Sequence, residues 1–206
     1  MTQILAYDTC FNGCSVSLKS DNDIVTSIEF DDNTFQNLVP TINTLTKNTS
    51  IDKIILTIGP GSFTGIRIGI ATAFGISSVT GCEIFGCSTF DLFIAQFLNE
   101  NQEYINSNKN IVVVLESKRK GLAYFQKINL IDFYNKASTY NNASLIEIDS
   151  LQNHLENAII ITNMRIIDEM QFTNKDNFFI EKTSSKTLFD VPGHRMTSEI
   201  KPIYFF

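Results

Sequence analysis

The sequence contains no tryptophan, and only two of its 206 residues are histidines. His154 and His194 are far apart in the chain, so they do not form the close pair that a metal site on a helix would need. The four cysteines form two loose pairs, and neither pair has the CxxC spacing of a structural zinc site. They are Cys10, Cys14, Cys82 and Cys87. Such cysteines more often serve as small buried apolar side chains, so we expect no metal ion and no other cofactor.

Positive charge is also scarce. The chain has 16 Lys and Arg residues against 22 Asp and Glu residues, which gives a formal net charge of −6. Binding to nucleic-acid phosphates usually depends on clustered Lys and Arg side chains. Strong RNA binding by this chain alone is therefore not favoured.

Long apolar runs are missing as well. A membrane-spanning helix needs about 18 nearly uninterrupted apolar residues, and no such run occurs. The first seven residues lack the charged region and cleavage site of a secretory signal. We therefore expect a cytoplasmic protein with no membrane association. An apolar content of 43% is ordinary for a globular fold.

The first half of the chain alternates between strand-like and helix-like patterns. Short apolar runs at residues 4–7, 14–18 and 24–30, separated by turn residues, predict three antiparallel strands. The pattern then predicts helices at about 34–47, 63–78 and 90–98, with strands at 54–58 and 82–86 between them. This βββαβαβα order predicts an α/β lobe with helices packed on a mixed sheet.

The second half is harder to read. Residues 99–110 are polar and predict a linker, after which strands are expected at 111–115, 122–130, 145–148 and 159–162. We therefore predict two domains: an N-terminal α/β lobe at residues 1–100 and a smaller C-terminal α/β lobe at 101–206.

A glycine-rich segment, Gly59-Pro-Gly-Ser-Phe-Thr-Gly65, joins a predicted strand to a helix, where phosphate-binding loops occur. A Walker loop needs Lys and then Ser or Thr, whereas Ile66 and Arg67 follow here. A dinucleotide-binding loop needs GxGxxG after the first strand, and the spacing here is GxGxxxG after the fourth. What remains is a tight turn in which Ser62 or Thr64 caps the helix.

That helix carries small residues, Gly65, Gly69 and Ala73, at four-residue intervals. A stripe of this kind lets another element approach closely. The stripe could pack on the chain's own sheet or against a helix of another protein, and spacing alone leaves both interpretations open.

Four segments carry a resemblance to a known family. They are ILAYDT at residues 4–9, GPGSFTGIRIGIATAFGI at 59–76, GCEIFGCSTFD at 81–91 and KPIYFF at 201–206. Together they resemble the TsaB (YeaZ) family. The resemblance implies a two-lobed actin-like, Hsp70-like and sugar-kinase-like fold built on ribonuclease H-like units, with a degenerate second lobe.

The resemblance also implies a function. The chain would be a non-catalytic scaffold and activator of TsaD in the threonylcarbamoyladenosine (t6A) modification of ANN-decoding tRNAs. TsaD would form a heterodimer with this chain, and the ATPase TsaE would join the complex. The chain would interact with tRNA only indirectly. The isolated chain is expected to form a homodimer through the same surface.

The helices at about 34–47 and 63–78 are the expected contact with TsaD, and buried apolar area would supply most of the binding energy. The candidate contact residues are Phe35, Leu38, Ile42, Gly65, Ile66, Gly69, Ile70 and Phe74. A bulky residue at Gly69 is expected to damage this contact.

The alternative from another class is a nucleotide-dependent enzyme, a small kinase or ATPase of the actin-like fold, that uses Asp8 and the Gly59 loop. Thr9 and Cys10 follow Asp8 instead of a glycine-containing phosphate turn, which favours a structural role for Asp8. The segment Glu-Ser-Lys-Arg-Lys-Gly at residues 116–121 departs from the family's usual Asp-Ala-Arg. We interpret its charge run as a solvated turn, with a contact to a partner or to tRNA as the second interpretation.

Overall fold

The computed structural model describes residues 2–11, 13–20, 25–30, 34–47, 49–105, 107–136, 142–155, 157–164 and 177–205. The described residues form two five-stranded sheets. The strands of the first sheet are β1 Gln3–Asp8, β2 Cys14–Ser20, β3 Val25–Phe30, β4 Lys53–Thr57 and β5 Glu83–Cys87. Those of the second are β6 Asn110–Glu116, β7 Leu122–Asn129, β8 Ala143–Glu147, β9 Ala158–Thr162 and β10 Asn177–Phe179.

The two sheets share one topology. The first has the order β3-β2-β1-β4-β5, with β1, β2 and β3 antiparallel and β4 and β5 parallel to β1. Read in the matching direction, the second has the order β8-β7-β6-β9-β10, again with three antiparallel strands followed by two parallel ones. The chain is therefore built from two copies of one unit, as the predicted fold requires.

Helices follow the order predicted for the first half. They are α1 Thr34–Thr46, α2 Phe63–Thr80, α3 Thr89–Glu100 and, in the second half, α4 Leu130–Asn135. Short 3₁₀ helices lie at Gln102–Tyr104, Ile148–His154, Ser185–Phe189 and Gly193–Arg195. The βββαβαβα prediction is confirmed. Among the described residues, the second unit keeps the full sheet but has only the six-residue α4 as an α-helix, in line with a degenerate second lobe.

Successive side chains of β1 and β4 point to opposite faces of the first sheet, so they are buried in two different cores. Leu5 and Leu56 face α1 and α2, whereas Ala6 and Ile55 face the opposite side. On that side lies α3, whose side chains are buried almost all round the helix because it contacts the second sheet as well. The core beneath α1 and α2 contains the two helices predicted to contact a partner. The core around α3 lies between the two sheets.

The C-terminal segment returns to the first lobe. The backbone N–H of Ile203 donates to the carbonyl of Ile58 at 2.8 Å, and Thr197 and Gly86 exchange two backbone hydrogen bonds. The 3₁₀ helix Ser185–Phe189 packs against β1 and β2. These contacts link the two halves of the chain, and the division near residue 100 stays a prediction.

Candidate functional site

The Gly59–Gly65 turn is packed against the end of β1. The N–H of Ser62 donates to the carbonyl of Cys10, and a Cβ on Gly61 would lie 2.2 Å from that same oxygen. Gly59 has a φ of 111°, which favours glycine, and its Cβ would lie 2.7 Å from the carbonyl of Ile203. The glycines of this turn therefore allow close contact with the chain's own backbone.

The small-residue stripe of α2 also packs inside the chain. Ser62 caps the helix, with its Oγ accepting from the N–H of Gly65 at 3.2 Å. Thr9 Oγ1 donates to the carbonyl of Gly65 and Tyr7 Oη donates to that of Gly69, both at 2.8 Å. A Cβ on Gly69 would lie 2.7 Å from Thr9 Oγ1, so a bulky residue there would disturb this packing first.

Most of the predicted contact residues face the same interior. Leu38, Ile42, Ile66 and Ile70 are buried in the core between the first sheet and the two helices, which lie side by side. Phe74 is different, since 51% of its surface is exposed. Phe35 belongs to α1, and its side chain lies outside the described part of the structure.

The solvent side of these helices carries a second set of apolar and small residues. Val39 of α1 is 49% exposed, and Val79 of α2 is 87% exposed. Gly75 has no atom within 4 Å of the position that a Cβ would take. We define the outer face as Val39, Ala71, Phe74, Gly75 and Val79, all exposed. Ala71 and Gly75, four residues apart, form a small-residue stripe on the solvent side.

The sequence prediction named Phe74 as a candidate contact residue but none of the other residues of the outer face. The helical period could have predicted these exposed positions. Once Gly65, Gly69 and Ala73 are assigned to the inner side of α2, Ala71 and Gly75 must lie on its solvent side. That assignment needed the contacts with Thr9 and Tyr7, which are distant in sequence.

Within the described residues, α2 is the one helix that is long and apolar enough to cross a membrane by length and composition, properties that core helices of globular proteins share. The inner side of α2 packs on the first sheet through Gly65, Gly69 and Ala73. Ile66 and Ile70 are buried on the same inner side, whereas Ala71, Phe74 and Val79 belong to the outer face. Large exposed apolar patches on folded proteins often mark interaction sites.

Asp8 is held by the chain itself. Its Oδ1 accepts from the N–H of Cys10 at 2.9 Å and from Thr57 Oγ1 at 2.5 Å, and its Oδ2 accepts from Thr183 Oγ1 at 2.6 Å. The side chain is buried. Asp8 therefore ties β1 to β4 and to the segment that leads into the 3₁₀ helix Ser185–Phe189, which is the structural role expected of it.

The two histidines make local contacts. His154 is exposed and packs against the ring of Phe125, with ring centroids 5.4 Å apart. His194 is also exposed, and its Nε2 lies 3.2 Å from the carbonyl oxygen of Phe133. Among the described residues, no three His, Cys, Asp or Glu side chains are grouped so that they could hold a metal ion.

All four cysteines are buried free thiols. Burial, reinforced by the charge of Asp8, raises the pKa of the Cys10 thiol to about 12, against opposing hydrogen bonds from Thr57, Thr89 and Gly59. Burial likewise raises the pKa of Cys14 and of Cys87. Thiolates are the reactive species, so these thiols are expected to resist alkylation in the folded protein.

The raised thiol pKa values predict a loss of stability at alkaline pH. Thiols of the unfolded chain ionise from about pH 8.5, whereas the folded thiols keep their protons, so the folded state binds more protons. The free energy of unfolding should therefore fall as the pH rises from about 9 to 12, by up to about 1.4 kcal/mol per pH unit for each thiol. Urea unfolding at pH 8 and pH 10 measures this slope. A Cys10→Ala/Cys87→Ala variant should show a smaller slope, and an equal slope would contradict the assignment.

Comparison with known proteins identifies the family. The sequence model described as "TsaD: tRNA N6-adenosine threonylcarbamoyltransferase" matches residues 35–172, more than half of the 206-residue chain. The tRNA threonylcarbamoyladenosine biosynthesis protein TsaB of Escherichia coli (strain K12) is 34% identical over 93 residues. The chain belongs to this family, in its TsaB (YeaZ) branch.

Solved structures give the same fold over the whole chain. YeaZ from Pseudomonas aeruginosa matches with a TM-score of 0.73 and 15% identity, covering 100% of both chains. A Pseudomonas aeruginosa protein described as similar to peptidase YeaZ matches with a TM-score of 0.74 and 15% identity, also over 100% of both chains. At this identity the likeness shows the fold, and it confirms the predicted two-lobed fold of the TsaB branch.

The sequence similarity to Escherichia coli TsaB is partial, because the aligned segment spans 42% of this chain and 40% of TsaB. The outer face of α1 and α2 lies within the residues that the family model matches.

Proposed function

We propose that this chain acts in the cytoplasm in t6A biosynthesis, as a non-catalytic scaffold and activator of TsaD. The observation that carries the proposal is the outer face of α1 and α2, a solvent-exposed apolar surface on a chain of the TsaB branch. The match to a family model named for TsaD supports the choice of partner.

The outer face suits helix-to-helix docking. Ala71 and Gly75 leave a shallow strip along α2 in which a partner helix can approach closely. Phe74 and Val79 flank this strip with exposed apolar surface. Burying such side chains is favourable, and aromatic residues at the centre of an interface often dominate binding. The proposed contact is thus a packing of α1 and α2 against two helices of TsaD.

A scaffold role also agrees with the interior of the molecule. The carboxylate of Asp8 is engaged by Cys10, Thr57 and Thr183. The N–H of Ser62, which a phosphate loop would direct at a ligand, is bound to the carbonyl of Cys10. These contacts give no support to the alternative of a nucleotide-dependent enzyme. TsaE as a further subunit, and a homodimer of the isolated chain through the outer face, are part of the same proposal.

Phe74→Ser tests the docking surface. Half of the Phe74 side chain is already exposed, so the variant should keep its thermal stability while it binds TsaD about 10- to 100-fold more weakly. Calorimetric titration of the purified proteins measures this change. Ala71→Glu places a charge on the same strip and should have a similar effect.

Ile131→Ser is the matched control, because Ile131 is a large apolar residue of α4 that is 44% exposed in the other lobe. Its affinity for TsaD should equal that of the wild type. If Phe74→Ser and Ala71→Glu both bind TsaD as tightly as the wild type does, the docking surface lies elsewhere.

A further inference from the structure

The turn between β6 and β7 presents three consecutive basic side chains to solvent, Lys118, Arg119 and Lys120. The N–H of Arg119 donates to Ser117 Oγ at 3.1 Å, and the carbonyl of Arg119 accepts from the N–H of Leu122 at 3.1 Å. These hydrogen bonds shape a tight turn from which the three side chains project. We call residues 117–121 the basic turn.

The charge of the basic turn is available to a partner. The chain as a whole carries a formal net charge of −6, and the basic turn places three cations next to one another. Glu116, at the end of β6, is the one acidic residue next to the turn in the sequence. Within the described part of the chain, none of the ion pairs involves Lys118, Arg119 or Lys120.

The basic turn lies at the mouth of the cleft between the lobes. Glu116, Lys118 and Tyr124 from the second lobe and Gly61 and Ser62 from the first line one open cavity of about 270 Å³. Lys118 therefore lies near the start of α2, the helix that carries most of the outer face.

Aromatic side chains lie at the start of α2. Phe63, which is 53% exposed, packs against Tyr204 with ring centroids 5.2 Å apart. The guanidinium of Arg67 lies 3.7 Å from the centroid of the Phe63 ring. Arg67 is exposed, and an arginine guanidinium plane is a group on which an unpaired base can stack.

We propose that the basic turn contacts the phosphate backbone of tRNA held by the complex with TsaD. The inference rests on the proposed function, and it goes beyond the expectation that this chain meets tRNA only indirectly. Three cations are too few to hold RNA alone in an acidic protein, but they would add affinity once another subunit binds the same molecule. An RNA is favoured over an acidic protein because phosphate-binding cations occur together with an exposed guanidinium plane, that of Arg67.

A triple variant, Lys118→Ser/Arg119→Ser/Lys120→Ser, tests the proposal. Fluorescence anisotropy measures the affinity of the complex for tRNA across a range of salt concentrations. The variant complex should bind tRNA about tenfold or more weakly at low salt. Its slope of log affinity against log salt should be shallower by about 2 to 3, since each lost phosphate contact removes a little under one unit.

The matched control is Lys109→Ser/Lys136→Ser/Lys186→Ser, which removes the same number of charges from exposed positions elsewhere. This control should keep the wild-type affinity and slope. If both triple variants weaken tRNA binding equally, the effect comes from net charge and the proposal is wrong. The proposal is also wrong if the basic-turn variant binds tRNA as the wild type does. It is wrong as well if that variant fails to bind a protein subunit of the complex while its affinity for tRNA is unchanged.

Co-purification with TsaD is measured on the same samples and reports on the proposed function separately. A variant complex that assembles normally but binds tRNA weakly supports both proposals. If the wild-type chain does not assemble with TsaD, the proposed function fails, and the role of the basic turn, which depends on that complex, fails with it. A variant complex that assembles normally and binds tRNA like the wild type overturns the role of the basic turn alone.

Discussion

Replacing Arg195 with methionine should lower the free energy of unfolding by about 3 to 5 kcal/mol. Arg195 is only 2% exposed, and its partner Asp91 is fully buried. Arg195 Nε donates to Asp91 Oδ1 at 3.0 Å, Nη2 contacts the same oxygen, and Nη1 donates to the carbonyl of Lys136 at 3.1 Å. Removing the guanidinium would leave a buried carboxylate without its countercharge, which is the costly part of breaking such a pair.

The position of the pair explains why the effect should be large. Asp91 lies in the first turn of α3, where Ser88 Oγ donates to its Oδ2 at 2.9 Å and accepts from its N–H at 3.0 Å. Arg195 thus connects the 3₁₀ helix Gly193–Arg195 to the helix between the two sheets. Losing it weakens the contact between the lobes as well as one ion pair.

The double variant Asp91→Asn/Arg195→Met separates the two causes. Asparagine keeps hydrogen-bonding capacity toward Ser88 without a charge, so the double variant should regain a substantial part of the stability that Arg195→Met loses. Urea denaturation of the three proteins measures the interaction energy. A loss below about 1 kcal/mol for Arg195→Met would show that the pair contributes as little as a surface salt bridge.

Gly65→Ala should be more damaging still, leaving no folded protein or lowering the free energy of unfolding by more than about 4 kcal/mol. The added Cβ would lie 1.9 Å from the carbonyl oxygen of Thr9 and 3.1 Å from its carbonyl carbon. Both atoms belong to the backbone at the end of β1, which cannot swing aside as a flexible side chain can. The start of α2 would have to move off the sheet.

Gly75→Ala is the control within the same helix, because no atom outside the local helix backbone lies within 4 Å of its Cβ position. Alanine favours the helix over glycine, so this variant should be more stable than the wild type by about 0.5 to 1 kcal/mol. Thermal unfolding of both variants gives the comparison. Equal behaviour of the two would mean that α2 does not pack on β1 through Gly65.

The order of strands and helices could be predicted from the sequence because it depends on local patterns. Strand alternation before residue 30 and the helical period that follows it are carried by neighbouring side chains. The glycine turn and its cap were equally local, and Ser62 does cap α2. The family resemblance supplied the two-lobed fold, which the repeated sheet topology bears out.

Contacts between residues far apart in the sequence could not be predicted from local patterns. The spacing of Gly65 and Gly69 predicted a close approach but could not show that Thr9 and Tyr7 are the groups approached. Ser185 is buried against Ser15, which is 170 residues away, and no pattern around Ser185 signals this contact. Arg195 looks like an ordinary surface residue in the sequence because its burial depends on Asp91, 104 residues earlier.

The central claim, that the outer face of α2 docks on TsaD, can be measured directly with a single engineered thiol. The four native cysteines are buried, so a thiol introduced by Ala71→Cys would be the reactive one. Its alkylation rate should fall about tenfold or more when TsaD is added in excess, because a partner helix would cover the Ala71 position. Gln152→Cys, on the exposed side of the second lobe, should be alkylated at the same rate with and without TsaD. An unchanged rate for Ala71→Cys in a fully formed complex would contradict the claim.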